Sequence, residues 1–162
     1  MITIKRSALF LQVVTVLVGI GVAAFLLIEP HFEGRNVDAT LFAIYFNDPF
    51  LAYVYTASIL FFVALYHAWT LLGHMRDNTL YTLQSVRALR AIRYCAVVLI
   101  AFIMGAEAYF FIVQRSTEDI AGGVVLGLFV LFVSVIVAVT AHIFEGLLQS
   151  TIATKSENNS TQ

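Results

Sequence analysis

The chain is poor in the residues that stiffen, staple or solvate a water-soluble domain. Of its 162 residues one is cysteine and two are proline, and charged side chains make up 12%, about half the share usual in soluble proteins. A single thiol, Cys95, excludes an internal disulfide and the dithiol relay of a disulfide-forming membrane oxidoreductase. Nine basic residues stand against ten acidic ones, so no excess of positive charge draws the chain to nucleic acid, and no direct nucleic-acid partner is expected. No phosphate-cradling glycine loop, no Ser-His-Asp order and no pair of catalytic carboxylates occurs. These absences argue against an enzyme and against a bound cofactor.

What is abundant is apolar surface. Hydrophobic residues reach 60% and the mean hydropathy is +0.91. A soluble domain of this size leaves too much of its surface in water to hide that much. A bilayer core about 30 Å thick needs roughly 20 apolar residues per spanning helix, and four runs qualify: Ala8–Ile28, Phe50–Leu72, Tyr94–Val113 and Ile120–Phe144. The first is longer than the apolar segment of a cleaved signal peptide and is read as a retained helix. The connections are too short for a further domain. The expected fold is therefore all-α: one four-span integral membrane domain, residues 1–162, folded as a four-helix bundle.

Charge sets the expected orientation, because loops rich in Lys and Arg stay in the cytoplasm. Lys5, Arg6, Arg76, Arg87, Arg90, Arg93 and Lys155 fall at the two ends and in the middle connection. Only Arg35 and Arg115 fall in the other two. Both termini and the middle connection should then be cytoplasmic. Asp48-Pro49 reads as a helix cap and first helical residue, and Glu118 and Asp119 suit the start of the fourth helix. Leu41–Phe46 is apolar but too short to span and is expected to lie on the bilayer.

The middle connection carries two periodic faces. Leu83, Val86, Leu89 and Ile92 repeat at helical spacing, as do Arg87, Arg90 and Arg93. Thr82 can cap that helix, which is expected to run unbroken into the third span. The arginines suit anionic lipid headgroups, at roughly 1 kcal/mol each, or an acidic partner. No proline and no glycine follows Gly146, so the fourth helix should continue past the membrane for two or three turns.

Ionisable groups inside the spans are costly, about 2.5–3.5 kcal/mol for Asp, Lys or Arg at a helix centre, and each calls for an account. Glu107 lies in the outer half of the third span. It suits a proton- or cation-binding carboxylate, or a carboxyl satisfied by a tyrosine hydroxyl or a loop cation. His67 and His142 fall at similar depth near the cytoplasmic side, and Glu145 follows His142 by one turn. Two imidazoles and a carboxylate are the ingredients of a metal or haem site, although interfacial histidines more often bond to backbone or headgroups. Gly123 and Gly127 form a GxxxG that permits close helix contact, within the bundle or between copies in a homo-oligomer.

Two stretches carry a family resemblance. Ser85-Val86-Arg87-Ala88-Leu89-Arg90-Ala91-Ile92-Arg93-Tyr94-Cys95-Ala96 resembles the pattern S-V-x-A-L-x-x-I-K-Y-C-A. Leu147 to Asn159 resembles L-L-Q-x-A-I-x-I-K-S-E-N-D. Both patterns occur in the domain-of-unknown-function family 2975, small four-span bacterial membrane proteins, and the resemblance covers residues from about 70 to 162. Arg93 replaces the usual lysine, Asn159 the usual aspartate, and Gln162 stands where an apolar end is usual. The resemblance implies no reaction and no catalytic residues. It implies, through the frequent neighbourhood of the genes, a small cytoplasmic helix-turn-helix regulator as partner. Three functions follow: a regulatory or interaction protein, a small transporter or channel subunit using Glu107, and a metal or haem protein using His67, His142 and Glu145.

Overall fold

The computed structural model describes residues 2–32, 40, 42, 49–114 and 121–160. Four long helices account for nearly all of them: α1 (Ile2–Phe32), α2 (Pro49–Arg76), α3 (Leu83–Tyr109) and α4 (Ala121–Ser160). A five-residue π-helical turn, Phe110–Gln114, extends α3. No strand occurs among the described residues, and all four helices are long and apolar enough to cross a membrane. Helix α2 begins at Pro49, where the fixed φ of proline suits a first turn. Asp48, Arg35, Arg115, Glu118 and Asp119 lie outside the described residues, as does the Leu41–Phe46 run apart from Phe42.

The helices pack in chain order, α1 on α2, α2 on α3 and α3 on α4. Each neighbour is antiparallel, as the cross-contacts show. Gln12, early in α1, donates to the Trp69 carbonyl late in α2, whereas the Tyr55 hydroxyl, early in α2, donates to the Leu26 carbonyl late in α1. The Tyr53 hydroxyl donates to the Phe102 carbonyl at 2.8 Å, joining the start of α2 to the far half of α3. One end of the molecule therefore gathers the start of α1, the α2–α3 turn and the end of α4. That end holds Lys5, Arg6, Arg76, Arg87, Arg90, Arg93 and Lys155 and is called the basic end below.

Thr82 caps α3, its hydroxyl accepting from the Ser85 amide. From there the helix runs without a break through the third span. Asn78, at φ 57°, turns the chain out of α2; asparagine tolerates this left-handed conformation. Helix α4 has 40 residues, about 60 Å at 1.5 Å per residue, twice the thickness of a hydrocarbon core. The stretch past Phe144, where the apolar run ends, extends beyond the span.

Large apolar side chains cover the outside of the spans. Phe132 is 65% exposed, and Leu17, Phe129 and Val125 are comparable. Such a surface is satisfied by lipid and not by water. The closest apolar packing instead lies toward the basic end, where Val86, Leu89 and Ile92 of α3 meet Ala141 and Leu148 of α4, flanked by Ala68, Leu71, Leu80 and Ile152. Between the spans, close approach depends on small residues and on hydroxyl or amide bonds. A Cβ on Gly19 would stand 2.9 Å from Leu65 Cδ2, and one on Gly123 would stand 3.1 Å from the Phe110 ring.

Candidate functional site at the basic end

Arg87, Arg90 and Arg93 are spaced by three residues, but a helix turns about 100° per residue. Each step of three thus swings the side chain by about 60° around the axis. Arg90 and Arg93 turn toward α4, and Arg87 turns away. Arg87 is exposed and has no partner among the described residues.

Facing the other two, α4 presents His142 and Glu145 one turn apart. Glu145 is 5% exposed. Its Oε1 accepts from Arg90 Nε at 2.7 Å, and its Oε2 lies 3.1 Å from Arg93 Nη1. The second contact is an ion pair without hydrogen-bond alignment, and the same nitrogen donates to His142 Nδ1 at 2.8 Å. Arginine has no acceptor, so Nδ1 must accept and the imidazole proton is assigned by that geometry to Nε2. The Arg93 guanidinium also sits 5.0 Å from the Tyr94 ring centroid, within range of a cation–π contact. Side-chain exposure is 47% for Arg90 and 23% for Arg93.

This cluster takes up four of the residues that the sequence singles out. His67 is not among them. It stays on α2, half-buried, with its ring edge-on to Tyr66 at 5.5 Å. Among the described residues no three His, Cys, Asp or Glu side chains stand close enough together to hold a metal ion. His142 Nδ1 and both Glu145 oxygens face arginine instead.

Glu107 and the glycines form a second arrangement, deeper in the spans. Both carboxyl oxygens of Glu107 are covered and have no hydrogen-bond partner among the described residues. The carboxyl rests on Gly127, where even a Cβ would collide with it, and Phe110 one turn along rests on Gly123. The GxxxG face of α4 is thus turned toward α3 within the chain. The tyrosine hydroxyl nearest in kind, that of Tyr53, spends its proton on the Phe102 carbonyl.

Two further buried polar groups join helices at the basic end. Gln12 is almost fully buried on α1, with Nε2 on the Trp69 carbonyl and Oε1 accepting from Arg76 at 3.3 Å. It is the one carboxamide in the first apolar run, which is the signal that would have marked it. Ser85 is fully buried, 3.0 Å from His74 Nδ1 and 3.3 Å from the Thr82 hydroxyl. That network ties the end of α2 to the start of α3 and gives the serine of the first family pattern a structural reason.

Four spanning helices, lipid-type exposure along them and an ion-paired cluster at one end define a multi-pass helical membrane protein. The chain belongs to the family described as "Protein of unknown function (DUF2975)", whose model matches residues 36–161. Three of the four spans lie inside that match, so the likeness reaches well before residue 70. The chain is also similar to the uncharacterized membrane protein YoaS of Bacillus subtilis (strain 168), with 34% identity over 160 residues, 97% of this chain and 98% of that protein. No solved structure matches it.

Proposed function

We propose that this is a non-enzymatic regulatory or interaction protein of the bacterial plasma membrane, with both termini and the basic end in the cytoplasm. The observation that carries this reading is the packed core of Val86, Leu89, Ile92, Ala141 and Leu148. It stiffens the parts of α3 and α4 that leave the spans, which a pure membrane anchor would not require. On this support stand the unpaired Arg87 and the exposed α4 surface at Thr154, Lys155 and Asn158. The occupant is a soluble protein with an acidic face. A small helix-turn-helix regulator, expected from the family resemblance, is the first to test.

The experiment is co-purification from the native host with wild type and Arg87→Glu. Arg87 makes no contact that folds the chain, so its reversal spares the helices. The reading expects the partner to be lost while the variant is still extracted as a folded protein. Unchanged co-purification would refute it. Reversal of Arg90 or Arg93 is unsuitable, because Glu145 would lose its counter-ion.

A second reading, a proton- or cation-coupled transporter or channel subunit, draws support from Glu107, whose two covered oxygens lack a hydrogen-bond partner among the described residues. It expects ion flux in liposomes that disappears in Glu107→Gln. Equal flux in the two proteins ends it.

A further inference from the structure

The cluster on α3 and α4 holds more donors than its own acceptors use. Arg90 spends only Nε on Glu145. Arg93 spends only Nη1, shared between Glu145 and His142. Each guanidinium carries five N–H groups in a rigid fork. The remaining N–H groups of both, and the His142 Nε2–H, have no acceptor among the described residues. Two cations against one carboxylate also leave one positive charge at the cluster.

The level of the cluster along the helices says what meets those donors. Toward the spans the exposed residues include Val97 and Val98 of α3 and Ile136 and Val139 of α4, all apolar. Toward the helix ends polar residues join the exposed surface, Gln84 and Arg87 of α3 and Gln149 and Ser150 of α4, beside the exposed Leu83 and Leu147. Tyr94, 57% exposed, stands at the boundary, where aromatic rings mark the headgroup layer. The open edges of the two forks therefore lie where lipid phosphates lie. Glu145, buried behind them, fixes their positions before any ligand arrives, and preorganised arginine forks suit phosphate oxygens.

We propose that Arg90, Arg93 and His142, held by Glu145, form a binding site for the phosphate of an anionic phospholipid headgroup. The positive-inside rule requires only diffuse attraction by basic residues. This site requires a fixed geometry, and the two differ in sign for one substitution. Glu145→Gln adds a positive charge to the cluster, so diffuse attraction would tighten. A built site would loosen, because the forks lose the anion that orients them. This inference does not depend on the docking reading, which uses Arg87 and the end of α4.

The test is native mass spectrometry of the full chain released from nanodiscs of phosphatidylcholine containing increasing phosphatidylglycerol. Wild type should retain phosphatidylglycerol in preference to phosphatidylcholine. Glu145→Gln should lower that preference roughly tenfold, the size of one charge-assisted hydrogen bond. His142→Ala should lower it too, though an imidazole that accepts from arginine contributes no charge. Lys5→Gln, a basic residue at the same end but outside the cluster, should not. If Glu145→Gln fails to fold, Arg93→Lys keeps the charge and removes the fork, and it should lose the preference. Equal or tighter retention in Glu145→Gln, or an Arg93→Lys variant that behaves as wild type, would overturn the proposal. So would displacement of the lipid by inorganic phosphate as readily as by phosphatidylglycerol, because the site would then serve a soluble anion.

Discussion

Single side chains decide how these helices meet, because lipid gives apolar surfaces no reason to associate. Gln12 does this for α1, which buries few other residues against α2. Replacing Gln12 by Leu should weaken the α1–α2 contact by about 0.6–2 kcal/mol, the range measured for polar contacts between spanning helices; unfolding in mixed micelles reads it. A fully additive loss when Arg76→Leu is combined with it would show that the two do not share the bond. Glu107 and Gly127 should be coupled in another way. Gly127→Ala drives a methyl into the Glu107 carboxyl, and Glu107→Ala removes the obstacle. The double variant should recover part of the loss, with a coupling of about 0.5–3 kcal/mol, and simple additivity would contradict the contact. At this scale the sequence told which residues are unusual and not what they touch. Glu145, Arg90 and Arg93 are each conspicuous by charge, yet their convergence depends on the rotation of α3 relative to α4. The Val86, Leu89 and Ile92 stripe marks the covered side of α3, but α4 is apolar nearly all round and carries no such stripe to say which of its side chains meet it.

Whole elements were more legible. Length and hydropathy mark the spans because both follow directly from bilayer thickness, and the Thr82 cap with its apolar repeat places the start of α3 at Leu83. The length of α4 past the membrane was legible only as a lack of helix breakers, and the helix in fact reaches Ser160. What holds it against α3 is the core around Leu148 together with the buried Glu145. Replacing both Arg90 and Arg93 by Leu should strand that carboxylate and cost at least about 3 kcal/mol. The separation should appear as a lengthened distance between spin labels at Gln84 and Gln149. A distance unchanged from wild type would show that the apolar core alone holds the pair.

For the molecule as a whole, polarity is divided along the helix axes. Lipid-facing apolar surface covers the spans, whereas the basic residues, the ion-paired cluster and the tightest packing gather at one end. The docking reading needs that end to face the cytoplasm, which makes orientation the claim on which the proposed function rests. Single cysteines in a Cys95→Ser background, probed in intact cells with a membrane-impermeant maleimide, test it directly. Gly122, at the opposite end of α4 with open space around it, and Thr154, exposed at the basic end, are the two positions to compare. The account predicts that Gly122→Cys is labelled in intact cells and Thr154→Cys only after the membrane is broken. Labelling of Thr154→Cys from outside, with Gly122→Cys protected, would contradict it.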